Sequence, residues 1–293
     1  MKLRDFTTPI AQKHQSILRN LQKSMGMDQS LKLRPRSGIK VMSASIRALF
    51  LRELQTRFGQ YRLGYLWVLL EPLLSIGVMV ILFGSIMHKI LPGIRYEIFL
   101  INGIIPFLMF RTGVTQAMSA VRSNQGLFSY KPVKPIDALL ARCFLELFLK
   151  FIAYIAFSSV FLWIGFEVSF SHLPQLLGYW LILFVFMVAA GLILMVLADF
   201  SQEIEKFVSV IFLLLYLMSG VLYSIQIISP EYREYLLWNP LIHIFELMRH
   251  AVAPSYELVS GISLGYVLVW TILSLFIGLL LYKRFEKNMV RSK

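Results

Sequence analysis

Six stretches of this chain, residues 66–87, 98–120, 139–166, 176–198, 207–228 and 261–282, are each as long and as apolar as a helix needs to be to cross a bilayer. This pattern constrains the fold before any other feature does. In hydrocarbon a backbone must satisfy its polar groups within its own segment, so the expected fold is an all-α polytopic membrane protein with six transmembrane helices. Composition points the same way. Only 15% of the residues are charged and 57% are hydrophobic, whereas a soluble domain needs about a quarter charged residues to cover its surface.

The connections between the runs differ in charge. Thirteen Lys and Arg precede the first run, three follow the second, one follows the fourth and five close the chain. The remaining loops hold only Lys89, Arg95, Arg233 and Arg249. The positive-inside rule then places both termini in the cytoplasm of a multi-pass protein, and an even number of spans agrees. The net charge of +13 is accounted for by these loops, and no nucleic-acid partner is expected. Cys143 is the only cysteine, which excludes an intrachain disulfide.

Three domains are expected. Residues 1–40 form a basic cytoplasmic tail without a signal-peptide run, in which Ile17, Leu18, Leu21 and Met25 fit one short amphipathic helix. Residues 41–65 form an interfacial amphipathic helix and gate segment. Met42, Ile46, Phe50, Leu54 and Phe58 recur every four residues there, with Arg47, Arg52, Glu53 and Arg57 on the other sides. Residues 66–293 form the six-span domain.

Several ionisable residues fall inside the runs: Glu71, Arg111, Arg142, Glu146 and Lys150. Each costs at least about 2.5–3.5 kcal/mol at the centre of a span and is expected to face protein or water. Arg142, Glu146 and Lys150 are spaced by four and form one helical stripe. Glu71 is expected to pair with Arg111, and Glu146 with Lys150 or Arg142. Two roles stay open for these residues, ion pairing between helices or the lining of a wet conduit.

The loop 122–137, "RSNQGLFSYKPVKPID", is long for a membrane hairpin and presents Leu127 and Phe128 with nothing obvious to cover them. It reads either as a docking surface or as a plain connector. The segment 236–252, "LLWNPLIHIFELMRHAV", is too short and too charged for a comfortable crossing. His243, Glu246 and His250 share a helical face there, but the spacing is not H-E-x-x-H and no further ligand is apparent, so no metal site is expected. No G-x-x-x-x-G-K-[ST] loop and no G-x-S-x-G elbow is present. The chain is therefore expected to be neither an enzyme nor its own source of ATP-derived energy.

Four motifs occur in order: "FLRELQTRFGQYRLGYLWVLLEPLL" at 50–74, "NGIIPFLMF" at 102–110, "NQGLFSYKPVKPIDALLAR" at 124–142 and "LLWNPLIHIFELMR" at 236–249. With them the chain resembles the type-2 ABC exporter permeases, and the last two resemble those that export capsular polysaccharide. The resemblance covers about residues 41–293. Residues 1–40 depart from it, since family members tend to begin near the amphipathic helix.

The resemblance implies a permease that works as two copies with two separate ATPase subunits, which bind the ATP and Mg while the permease carries no cofactor. It exports a lipid-linked acidic polysaccharide across the inner membrane of a Gram-negative bacterium, in company with a periplasmic adaptor and an outer-membrane channel. The coupling contact to the ATPase would use Asn124, Leu127, Phe128, Tyr130, Pro132 and Pro135. The lipid-linked end would enter at Arg57, Gln60, Tyr61 and Arg62, where arginine suits phosphate, although Arg57 and Arg62 also suit headgroup anchoring. Conduit candidates are Glu71, Arg111, Glu146, Lys150, Tyr216, Tyr223 and Trp238; the aromatic three also fit core packing or an interfacial belt. Residues 229–256 would form two short re-entrant helices broken at Asn239 and Pro240, with Glu246 and Arg249 paired and the whole acting as an external gate. His243 and His250 would face water or the second copy. Alternatives are an O-antigen, teichoic acid or small-molecule permease of the same fold. An ion-coupled carrier and a membrane glycosyltransferase are less favoured, since no internal repeat and no acidic metal motif is found.

Overall fold

The computed structural model describes residues 37–58, 66–128 and 133–290. Gln60, Tyr61, Arg62, Tyr130, Pro132 and the tail 1–36 lie outside the described residues. By internal contact the chain separates at residue 41; only the opening of one helix is described before that point, and the bundle below is built from residues 42–290.

All regular elements among the described residues are helical. They are α1 (Gly38–Phe58), α2 (Trp67–Ile90), α3 (Tyr96–Met118), a 3-10 turn (Arg122–Asn124), α4 (Gln125–Phe128), α5 (Pro135–Trp163), α6 (Leu173–Phe200), α7 (Glu203–Met218), a second 3-10 turn (Ile225–Ile227), α8 (Pro230–Leu236), α9 (Pro240–Val252) and α10 (Leu264–Val290). Five of these, α2, α3, α5, α6 and α10, are long and apolar enough to cross a membrane.

The run 207–228 behaves differently. Its helix α7 has 16 residues, about 24 Å of rise, and stops at Met218. Gly220 then takes a left-handed conformation, φ 62°, which favours glycine. The carbonyls released by this break are not left bare. Those of Gly220 and Val221 accept from the Arg249 guanidinium, and that of Leu222 accepts from the Tyr96 hydroxyl at 3.0 Å. Irregular backbone at membrane depth is tolerated where protein groups re-satisfy it. An apolar run can be recognised from composition; a break that depends on an arginine 29 residues away cannot.

Prolines set other boundaries. Pro135 opens α5, four residues before the expected start, because the first turn of a helix needs no N–H there. The Asp137 carboxylate accepts the backbone N–H of Lys134 at 3.0 Å and caps that turn. Asn239 is itself the N-cap of α9, its side chain accepting from the Leu241 N–H at 3.0 Å, with Pro240 in the first turn.

The helix α3 is the centre of the bundle. Its apolar stretch is 83% buried, against 17% for α2 and for α10. It packs on α2, α5, α6, α7 and α9, while α10 runs along α6. A Cβ added at Gly278 would stand 2.9 Å from Leu192 Cβ, so this glycine sets how closely α10 approaches α6. The outward faces of α2, α7 and α10 carry exposed Ile81, Phe207, Leu213, Val269 and Phe276, as surfaces turned to lipid or to another subunit would.

Two ends of the bundle are distinct. The end rich in basic residues carries α4 and the loop into α5. Arg122 there bonds the Ala198 carbonyl at 3.1 Å and Glu205 at 2.8 Å, and Lys134 pairs with Glu286 at 3.3 Å. The opposite end carries the break after α7 together with α8 and α9.

Candidate functional site

At the basic end, three charged residues of α5 reach out to three other helices. Arg142 donates to the Glu53 carboxylate of α1 at 3.0 Å. Glu146 is ion-paired to Arg57 of α1 and accepts from the Thr112 hydroxyl of α3 at 2.9 Å. Lys150 pairs with Glu71 of α2 at 2.7 Å. These three rungs rise along one face of α5 and fasten the interfacial helix and the first span to it.

The partners differ from those the spacing suggests. Glu146 meets neither Lys150 nor Arg142, and Glu71 meets Lys150 rather than Arg111. Four-residue spacing brings like-faced residues together only when nothing better lies opposite. Here α1 carries Glu53 and Arg57 with the complementary signs, also four apart. The side of α1 expected to be polar and outward is therefore partly inward. Leu49 is buried, Ile46, Phe50 and Leu54 are partly buried, and Glu53 and Arg57 join that face, while Met42 stays exposed.

The lower rung is the most heavily bonded. The Arg142 guanidinium also donates at 2.8 Å to the Gln116 carbonyl and to the hydroxyls of Ser119 and Ser123. A planar five-donor fork is the side chain suited to such a divergent set. Beneath it, Arg52 donates to the Asn124 side chain, and Asn124 is itself tied to the Ala120 carbonyl at 2.8 Å. Glu53, Gln116, Ser119 and Ser123 were not among the expected site residues; the complementary charge order of 53/57 and 142/146 was the available signal.

This geometry revises the expected roles. Glu146 is 0% exposed and Lys150 3%, so both are internal fasteners with no open face toward a conduit. Glu71 is about one-third exposed. Arg111 stands exposed on α3. In the coupling loop, Asn124 and Phe128 are buried and Leu127 is partly buried, whereas Ser123, Gln125 and Gly126 are exposed. Phe128 was expected outside as an apolar contact; the short helix α4 turns it into the main core instead. Pro135 is buried at the start of α5.

The opposite end is organised around Arg249, which is 0% exposed, as is Glu246. Its Nη1 donates to Glu246 Oε1 at 2.7 Å. Its Nη2 donates to the carbonyls of Gly220 at 2.7 Å and Val221 at 3.3 Å, and its Nε to that of Phe99 at 3.4 Å. Its guanidinium carbon lies 3.4 Å from the centre of the Phe99 ring, a cation–π contact. The other Glu246 oxygen accepts from the Tyr256 hydroxyl at 2.9 Å, which also bonds Ser224 at 2.8 Å. Burial first, and then the Glu246 carboxylate, hold the Tyr256 phenol above its ordinary pKa, so it remains a donor. At Gly103, an added Cβ would come within 2.7 Å of Arg249 Nη2 and 2.8 Å of the Val221 carbonyl. The clasp thus welds α9 to α3 and to the broken end of α7.

Asn239 extends the same construction. Beyond capping α9, its amide donates to the Ser219 hydroxyl at 2.8 Å. His243, expected at water or a subunit boundary, is buried. Its Nδ1 accepts from the Ser263 N–H at 3.1 Å and its Nε2 faces the Leu237 carbonyl at 2.7 Å, which fixes the neutral tautomer with the proton on Nε2. His250 Nδ1 faces the Tyr256 carbonyl at 2.8 Å. Arg233 caps the second 3-10 turn through the carbonyls of Ile225, Gln226 and Ile228. Trp238 is left outside at 74% exposed, while Tyr216 and Tyr223 are partly buried.

Known proteins resemble this chain over the same region. The ABC-2 type transporter family matches residues 44–253. The polysialic acid transport protein KpsM of Escherichia coli is 40% identical over 257 residues, covering 88% of this chain and 99% of KpsM. The capsule polysaccharide export inner-membrane protein BexB of Haemophilus influenzae is 26% identical over 87% of this chain and 96% of its own. The O-antigen export system permease protein RfbA of Klebsiella pneumoniae is 27% identical over 65% of this chain and 73% of its own. The family match takes in the ladder, α4 and the Glu246–Arg249 pair together, and the chain belongs to the ABC-2 type transporter family.

Proposed function

We propose that this chain is the inner-membrane permease subunit of an exporter of lipid-linked acidic capsular polysaccharide, acting as two copies with two ATPase subunits. The observation that carries this reading is the 40% identity with KpsM along nearly its whole length. The O-antigen permease matches over a shorter stretch than KpsM or BexB does, which favours capsule over O-antigen cargo. The absence of a phosphate-binding loop from the sequence fits a subunit whose energy comes from a partner. ATP and Mg would sit on that partner.

In this reading the basic end is cytoplasmic. Arg57 and the adjoining Gln60, Tyr61 and Arg62 receive the lipid-linked end, and the Arg57–Glu146 pair holds that junction to α5. The clasp end is external. Asn239 and Pro240 set the angle of α9, and the Glu246–Arg249 pair keeps the piece rigid as an outer gate. A periplasmic adaptor and an outer-membrane channel would continue the path.

The ATPase docks against the exposed side of α4. Nothing among the described residues lies within 4 Å of a Cβ added at Gly126, and Gly126 is exposed, so a side chain can start there without a clash and extend into open space. We expect this variant to melt like the wild type in detergent while losing co-purification of the ATPase and export. Phe128→Glu, by contrast, is expected to destabilise the permease itself, because it buries a charge. Unchanged ATPase co-purification and export in Gly126→Glu would refute the docking assignment.

A further inference from the structure

The helix α7 is held differently at its two ends. At the clasp end, four successive residues are fastened. The Ser219 hydroxyl accepts from the Asn239 amide at 2.8 Å, the carbonyls of Gly220 and Val221 accept from Arg249, and that of Leu222 accepts from Tyr96. Tyr96 belongs to α3, the most buried span, so this end is tied to the centre of the bundle. Gly220, with its φ of 62°, breaks the helix there, and hinges are built from such element-terminal residues.

Between its ends α7 is lightly packed. Two of its sixteen residues, Val208 and Phe212, are buried. Phe212 meets the rings of Phe107 and Phe110 edge-on, with centroids 6.5 and 6.0 Å apart.

At the basic end, an ion pair joins α7 to the loop that carries α4. Arg122 bonds both sides of the short turn between α6 and α7, the Ala198 carbonyl at 3.1 Å and Glu205 at 2.8 Å. The helix α6 cannot follow a displacement of Arg122, because its apolar stretch is 61% buried and it packs on α3, α5, α9 and α10. The far side of the α4 loop is tied elsewhere, through Lys134 to Glu286 of α10 at 3.3 Å. That helix is packed along α6, with Gly278 in close contact. A pull at Lys134 meets a helix packed along its length, whereas a pull at Arg122 meets one that can turn.

We propose that α7 is a lever hinged at Gly220, and that Arg122 and Glu205 are the positioning pair through which the ATPase-docking loop swings its other end. Glu205 lies about 20 Å along the helix from that hinge, so a small tilt becomes a large displacement there. The exposed Phe207, Val210 and Leu214 travel with it. The face that α7 offers to lipid or to the second copy is thereby changed at the basic end, while the clasp end keeps its place. The inference rests on the exporter reading and on docking of the ATPase at α4.

The test uses the full chain, purified with its ATPase and placed in sealed vesicles with the ATP-binding side outward. Spin labels are attached at Lys206→Cys or Met218→Cys, both at exposed positions; native Cys143 is buried. The distance between the labels of the two copies is measured without nucleotide and after trapping with ATP and vanadate. We expect the 206 distance to change on trapping and the 218 distance to change less. Glu205→Ala should abolish the change at 206 and lower export of a lipid-linked sialic-acid polymer about tenfold, the weight of one charge-assisted contact. ATP hydrolysis, ATPase co-purification and melting temperature should stay at wild-type values, since a pair one-third exposed adds little to stability. Adding Glu205→Ala to Arg122→Ala should cost nothing further. Glu286→Ala, which opens the other tie, should export like the wild type.

Retained export together with a retained distance change in Glu205→Ala overturns the lever. So does an equal loss in Glu205→Ala and Glu286→Ala, which would mark general loosening of the loop, or loss of the ATPase from Glu205→Ala, which would place Glu205 in the docking surface. A shift at 218 as large as that at 206 also overturns it, because α7 would then move as a whole. If the wild type exports but its 206 distance stays constant on trapping, the lever alone fails. If the wild type neither hydrolyses ATP with its partner nor exports, the export reading fails and the lever with it.

Discussion

Arg249→Met is expected to lower the stability of the purified permease by about 3–5 kcal/mol, the cost of leaving a buried charge without its partner. Glu246 would remain 0% exposed with only the Tyr256 hydroxyl to oppose it, and the carbonyls of Gly220 and Val221 would lose their donor. Thermal unfolding in detergent reads this directly. Glu246→Gln combined with Arg249→Met should recover part of the loss, because the stranded charge is then gone. Exchanging the two charges should not. Position 249 faces three carbonyl oxygens and an aromatic ring, so a glutamate there meets acceptors only. Failure of the swap is therefore compatible with a purely structural pair. A wild-type melting curve for Arg249→Met would contradict the account of this end.

The second large effect is expected at Arg142. Arg142→Ala removes the donor to Glu53, the Gln116 carbonyl, Ser119 and Ser123 at once, leaving α1 held to α5 by the Arg57–Glu146 rung and to the Asn124 turn by Arg52. A loss of about 3–5 kcal/mol follows from the same argument about a broken, largely buried pair, discounted toward its lower end because Glu53 keeps some exposure. Arg142→Lys tests the fork. One ammonium cannot direct donors to four separated acceptors, so lysine should rescue only a minor part of the melting temperature. Protease sensitivity at the α1–α2 junction should rise in both variants. Full rescue by lysine would mean that charge alone, not geometry, holds this rung.

The spans at 66–87, 98–120, 139–166, 176–198 and 261–282 were legible because a bilayer demands length and apolarity, and both are written in the sequence. The helix break at Gly220 was not, since it depends on Arg249 reaching back to carbonyls freed by the break. The ladder was half legible. Its α5 side follows from four-residue spacing, but its partners sit on α1 and α2, and only the matched order of Glu53 and Arg57 against Arg142 and Glu146 hinted at them. Phe128 was misplaced for a related reason. A loop residue beside exposed Gln125 and Gly126 reads as outward until the turn of α4 folds it into the core. For the clasp, Glu246 and Arg249 pair as their i, i+3 spacing suggests, while Tyr256, Phe99 and Ser224 come from segments no local pattern links to them. His243 has the opposite history: the resemblance implied a face toward water or the second copy, and its buried bonds to Leu237 and Ser263 give it an internal one.

ATP-driven movement of an acidic polysaccharide through this subunit is the proposed activity. The most direct measurement places the permease and its ATPase in sealed vesicles with the ATP-binding side outward, together with a lipid-linked sialic-acid polymer and an added glycosidase. The predicted result is ATP-dependent protection of the polymer from digestion, seen only when both subunits are present. Protection that forms without ATP or without the ATPase, or no protection with all components present, would contradict it.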